Sequence, residues 1–178
     1  MRRLRNGDDA MLAPLMRRWE APVKRFVFRL VGNPAEAEDL AQEVFVRVYQ
    51  KRTTHQEGAR FSPWLFSIAA NLAKNRLRWW KRRPACSLDA WQEAGGDATD
   101  ESTTGAAASV TAARREQIAT VQSAVLALPL AWRVPLVLFE YEDQPVTAIA
   151  AALGCTEKAV EGRLARARQE LRRTLRVH

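Results

Sequence analysis

Cysteine and histidine are scarce in this chain, which holds two of each: Cys86, Cys155, His55 and His178, all far apart. With no CxxC pair, that inventory argues against a disulfide framework and against a four-ligand zinc site. Long apolar runs are missing too. No stretch approaches the ~20 residues needed to span a bilayer, and the basic start Met1-Arg2-Arg3-Leu4-Arg5 leads into no hydrophobic signal core. The expectation is a cytoplasmic protein without membrane insertion. The sequence also lacks a nucleophile–base–orienter set, a phosphate-binding loop and a metal cluster, so it reads as a non-enzyme with no cofactor. Strand-like alternation of apolar and polar residues is essentially absent, which leaves helices to build the fold.

What is present begins with charge. There are 28 Lys+Arg against 20 Asp+Glu in 178 residues, a formal net charge of +8, and 47% of the chain is apolar. That composition supports a packed core and favours a polyanionic partner, nucleic acid or an anionic membrane surface. Helical stripes follow one another. Leu12, Leu15, Met16, Trp19, Val23, Phe26, Val27 and Leu30 recur at i, i+3, i+4 and i+7, with Pro22 expected to kink or split the helix. Asn33-Pro34 restarts the chain as N-cap and first helical residue, with Glu36 placed to reach back to the cap. Ala37, Leu40, Ala41, Val44, Phe45 and Val48 carry the next stripe, and a polar segment, Thr53 to Arg60, follows it.

Ser62-Pro63 opens a third helix by the same cap logic, with Leu65, Ile68, Ala69 and Leu72 inward. Trp64, Ser67, Asn71, Lys74, Asn75 and Arg78 fall on its other side. Amides and cations along one face suit base edges or splayed bases, on which aromatics stack. Of the neighbours Trp79 and Trp80, at least one is expected to pack inward. Beyond Pro84 the composition changes. Residues 85–113 are rich in Ala, Gly, Ser and Thr with scattered acids, and read as a flexible acidic linker containing Cys86. Periodicity resumes with Ile118, Val121, Val125 and Leu128 on one face, then Val134, Val137, Leu138 and Tyr141.

The sharpest local signal is the run from Pro145 to Arg168. A short helix buries Ile149, Ala150 and Leu153, Gly154 supplies a tight turn, and Thr156 caps a second helix that buries Val160, Leu164, Ala167 and Leu171. This is a helix–turn–helix, whose second helix enters the major groove by its N-terminal part. Lys158, Glu161, Gly162 and Ala165 are the candidate base readers, and Glu161 suits a cytosine amine. Arg163, Arg166 and Arg168 are placed for phosphates, and Thr156 at the cap is counted with them among the DNA-binding residues. Cys155 reads as a small buried turn residue. A stand-alone duplex-binding regulator and an RNA-binding module remain open on these features alone.

Three motifs in order narrow the choice. Glu38-Asp39-Leu40-Ala41-Gln42-Glu43-Val44-Phe45, the run Phe61 to Asn75, and the helix–turn–helix ending Arg163-Leu-Ala-Arg166-Ala-Arg168 resemble bacterial RNA polymerase sigma factors of the extracytoplasmic-function type. The resemblance covers all but the linker. It implies an all-α protein with sigma domain 2, a helical bundle, over 1–84; a flexible linker over 85–113; and sigma domain 4, the helix–turn–helix, over 114–178. It implies that Asp39, Gln42, Glu43 and Phe45 dock on the β′ clamp helices of core polymerase and that domain 4 meets the β flap. Trp64, Asn71, Lys74, Asn75 and Arg78 would read the melted −10 element, and the second domain the −35 element as duplex. An anti-sigma factor is an implied partner, able to hold the protein at the membrane, and the nucleoid is its implied place once in holoenzyme.

Overall fold

The computed structural model describes residues 1–82 and 112–176. The expected linker, with Cys86, lies almost wholly outside the described residues. Those residues form helices joined by short turns: α1 (Arg2–Arg5), α2 (Leu12–Val31), α3 (Pro34–Gln50), α4 (Phe61–Arg82), α5 (Ala112–Ala127), α6 (Leu130–Glu140), α7 (Val146–Leu153) and α8 (Glu157–Leu175). Among the described residues no helix is long and apolar enough to cross a membrane.

In the first group, α2, α3 and α4 pack on one another around Phe26, Phe45, Phe66, Leu30, Leu40 and Leu65, all at most 2% exposed. The rings of Phe26 and Phe66 lie 5.0 Å apart, and Trp19 meets Phe66 edge-on at 6.1 Å. Ala69, Ala70 and Ala73 on α4 are buried as well, and their small side chains let the helices approach closely. Pro22 does not split α2, which runs unbroken through it. One missing backbone hydrogen bond is outweighed by the burial of Val23, Phe26, Val27 and Leu30 immediately after it. Gly32 closes α2 in the left-handed conformation, φ 76°, with its N–H on the Phe28 carbonyl at 2.8 Å.

Two cap details differ from the sequence expectation. The Asn33 side chain accepts from the Glu36 N–H at 3.0 Å as foreseen, but the Glu36 carboxylate turns to the Arg76 guanidinium on α4 rather than back to the cap. An ion pair between helices displaces the weaker local bond. α4 begins at Phe61, so Ser62 lies inside its first turn, and its hydroxyl donates to Gln144 Oε1 at 3.4 Å.

In the second group α6, α7 and α8 enclose Val134, Leu136, Val137, Leu138, Ile149, Val160, Leu164 and Ala167. The expected stripe on α5 holds only at its C-terminal end. Val125 and Leu128 are buried, whereas Ile118 and Val121 are 49% and 37% exposed and line an open cleft with Phe28, Arg29 and Tyr141. The two groups lie against each other, with α4 on α7 and α2 on α5 and α6, and their buried residues form one continuous cluster.

Candidate nucleic-acid and polymerase interfaces

On α4, residues four or fewer apart alternate between core and surface as a 3.6-residue period requires. Asn71, Lys74, Asn75 and Arg78 are all exposed and share one face. No Asp or Glu occurs between Glu57 and Asp89, so that face stays uniformly positive through Lys81 and Arg82, both exposed. Ser67 is not available to a ligand in the same way, because its hydroxyl donates to the Trp64 carbonyl at 2.7 Å. Trp80 packs against the core and Trp79 is 47% exposed.

The segment before α4 carries the residue that sequence reasoning passed over. His55 is 6% exposed, inside a stretch that otherwise reads as polar loop. Its ring meets Trp64 edge-on at 5.1 Å and Phe61 at 6.1 Å, and Phe61 and Trp64 lie 5.9 Å apart. Burial holds its pKa below the usual histidine value, opposed by a hydrogen bond with the Arg60 backbone. Its carbonyl accepts from Arg5 Nη1 at 3.3 Å, which ties the loop to α1 and the fully buried Leu4. Trp64 is therefore a half-buried wall braced from behind.

On α3 the inward stripe is Leu40, Ala41, Val44, Phe45 and Val48. Phe45, expected at the polymerase surface, is 2% exposed and belongs to the core. A helix cannot turn residues 41, 44 and 48 inward and 45 outward, since 41 and 45 lie one turn apart. Asp39 and Gln42 are exposed and Glu43 half-buried, with Glu43 accepting from Arg47 Nη2 at 3.3 Å. Val46, at 53%, completes that outward face at spacing 39, 42, 43, 46. It is an exposed apolar side chain ringed by polar ones, and the sequence reading missed it.

The helix–turn–helix forms as its residues dictate. Gly154 adopts φ 62° and ψ 42°, and the Cys155 N–H reaches the Ala150 carbonyl at 3.0 Å, closing α7. Thr156 accepts from the Ala159 N–H at 3.2 Å. Lys158, Glu161, Gly162, Ala165 and Arg166 are exposed on α8, and a Cβ on Gly162 would meet nothing within 4 Å. Two arginines are engaged internally. Arg163 Nη1 lies 3.6 Å from Cys155 Sγ, which is half-buried beside the core. Arg168 binds Glu140 Oε1 on α6 through Nη2 at 2.7 Å and Nε at 3.1 Å, and its guanidinium lies 5.2 Å from the Phe139 ring centre. In the free protein Arg168 thus pairs with Glu140 of its own domain at the surface, its side chain 42% exposed.

Comparison with known proteins agrees with this layout. Residues 15–83 match the family model for Sigma-70 region 2 and residues 118–171 that for Sigma-70 region 4. The chain is 30% identical to the ECF RNA polymerase sigma factor SigW of Bacillus subtilis, over 99% of this chain and 95% of that one. It is 30% identical to the RNA polymerase sigma-H factor of Pseudomonas aeruginosa, over 97% and 90% respectively. Among solved structures, CnrH in complex with the cytosolic domain of CnrY superposes with a TM-score of 0.70 at 23% identity, over 98% of this chain and 94% of that one. RpoE of Bartonella quintana in complex with the anti-sigma factor NepR gives 0.68 at 20%, over 93% and 96%. With region 2 on α2–α4, region 4 on α5–α8 and full-length relatives above, the chain belongs to the extracytoplasmic-function family of RNA polymerase sigma factors.

Proposed function

We propose that the protein binds core RNA polymerase through the Asp39, Gln42, Glu43 and Val46 face of α3 and directs it to promoters read at two places. The observation that carries this reading is the acid-free exposed face of α4, Asn71, Lys74, Asn75 and Arg78, on the same chain as an intact helix–turn–helix. The α4 face beside the Trp64 wall would take up the unstacked −10 strand, with amides for base edges and cations for phosphates. Lys158, Glu161, Gly162 and Ala165 on α8 would lie along base edges of the duplex −35 element, with Arg166 on the backbone. Holding both domains on one polymerase makes two weak contacts act as one strong one. Bond formation stays with the polymerase; this chain contributes binding. An anti-sigma factor is the proposed regulatory partner, and one with a membrane span would keep the protein at the membrane until release.

Run-off transcription with purified core enzyme tests the proposal. Adding the protein should yield promoter-specific transcript, and the protein should co-elute with core; failure of both overturns it. The two DNA contacts should separate by element. Asn71→Ala is expected to slow promoter opening about tenfold without changing duplex binding at −35. Arg166→Ala is expected to weaken −35 binding by a similar factor, as loss of ~1–2 kcal/mol implies, while leaving opening on a pre-melted −10 template intact. Permanganate footprinting and duplex mobility shifts read the two effects independently.

A further inference from the structure

Across the seam between α1–α4 and α5–α8, half-buried polar groups add to the continuous apolar cluster. Arg133 on α6 places its guanidinium between the C-terminal ends of two helices. Nη1 donates to the Leu30 carbonyl of α2 at 2.5 Å, Nη2 to the Leu126 carbonyl of α5 and to that of Leu128 at 2.8 Å, and Nε to Leu128 at 3.2 Å. Helix C-termini leave such carbonyls without intrahelical partners and favour a cation there. The loop Tyr141–Gln144 forms the second part of the seam. The Arg29 guanidinium of α2 lies 4.3 Å from the centre of the Tyr141 ring, and its Nη1 lies 3.8 Å from Glu142 Oε1. Gln144 receives the Ser62 hydroxyl at the start of α4, and its Nε2 holds the Glu142 carbonyl at 2.7 Å. The Glu142 side chain is 10% exposed.

We propose that this seam is a latch that holds the free protein closed, and that the Glu142 carboxyl makes the latch pH-sensitive. The proposal rests on the two-element reading above. A compact body of this length is on the order of 40 Å across. Two elements about 25 base pairs apart lie roughly 85 Å from each other at 3.4 Å per pair. The closed form therefore cannot occupy both, and the latch must part before a promoter is read in full.

The direction of the pH response follows from the groups around Glu142. Burial raises its pKa to about 7, against the lowering influence of Arg29 and Arg25 from α2 and with a further rise from Asp143 in its own loop. Opened to water, the same carboxyl returns to the ordinary range near 4.5. Between those values the closed form carries the proton and the open form does not, so closing takes up a proton and rising pH favours opening. Between pH 6 and pH 8 the closed-to-open ratio falls about tenfold.

Small-angle X-ray scattering of the full chain at pH 6 and pH 8, at constant ionic strength, tests this. Wild type should show a radius of gyration near ~16 Å at pH 6 and a larger one at pH 8. Glu142→Gln should stay compact at both, and Arg29→Ala, which removes the stacking on Tyr141 across the seam, should be expanded at both. Circular dichroism must show unchanged helix content in each case. Equal radii for wild type at the two pH values, a Glu142→Gln response identical to wild type, or expansion accompanied by helix loss would overturn the latch. Run-off transcription by wild type at pH 8 is scored separately. No promoter-specific transcript there defeats the sigma-type reading, whereas scattering alone decides the latch.

Discussion

Val46→Asp is expected to weaken assembly with core polymerase by about a hundredfold while leaving the melting temperature of the free protein unchanged. Val46 is 53% exposed, so in the free chain the substitution costs little, in the range of surface changes. In the proposed complex the same position, one turn beyond Gln42 and Glu43, is the apolar member of the docking face. Apolar side chains at the centre of an interface are the ones most fully removed from water. A carboxylate there would be buried without a partner, at roughly 3 kcal/mol, which is about a hundredfold in Kd. Fluorescence anisotropy of labelled protein titrated with core, beside a thermal melt of each variant, gives both quantities. An unchanged Kd would move the polymerase surface off this face of α3.

The largest loss of stability is expected from Phe66→Ala. Phe66 is 1% exposed and meets Phe26 at 5.0 Å and Trp19 at 6.1 Å. Its ring thus joins α4 to two separate turns of α2. Removing it leaves a cavity that rigid helix backbones close only in part, and such changes cost about 3–5 kcal/mol. Against a total stability of about 5–15 kcal/mol for a folded domain, that is a large fraction. Urea denaturation should show the midpoint lowered with little change in slope. A loss under about 1 kcal/mol would mean that the aromatic cluster is looser than its geometry implies.

Much of this arrangement is legible in the residues. The stripes on α3, α4 and α8 follow helical period, and Asn33, Gly154 and Thr156 act at the turns as their chemistry requires. What periodicity does not carry is competition between partners. Glu36 had a local cap within reach and an arginine forty residues on, and the arginine took it. Pro22 breaks an isolated helix but not one clamped by buried neighbours. Phe45 and Val46 show a different limit. Both are apolar and adjacent, and only the angular position set by the whole stripe assigns one to the core and the other to the surface. His55 was hidden because burial of a loop residue depends on the Phe61 and Trp64 rings across the turn, not on spacing along its own segment. Ile118 and Val121 erred in the opposite sense: their spacing announces a buried face, and the neighbours needed to cover it stop at Val125.

Arg168 has a consequence for how tightly the protein holds DNA as salt rises. Each phosphate neutralised by a cationic side chain releases condensed counterions, and contributes a slope of about −0.9 to log K against log salt for duplex DNA. By sequence, Arg168 counts among the cations of α8; in the fold its guanidinium is committed to Glu140 and laid over Phe139. Glu140 in effect plays the part of a phosphate from within the protein. Duplex binding by this domain should therefore be less sensitive to ionic strength, by about one counterion, than its count of arginines implies. Glu140→Gln is expected to steepen that salt dependence by about one counterion.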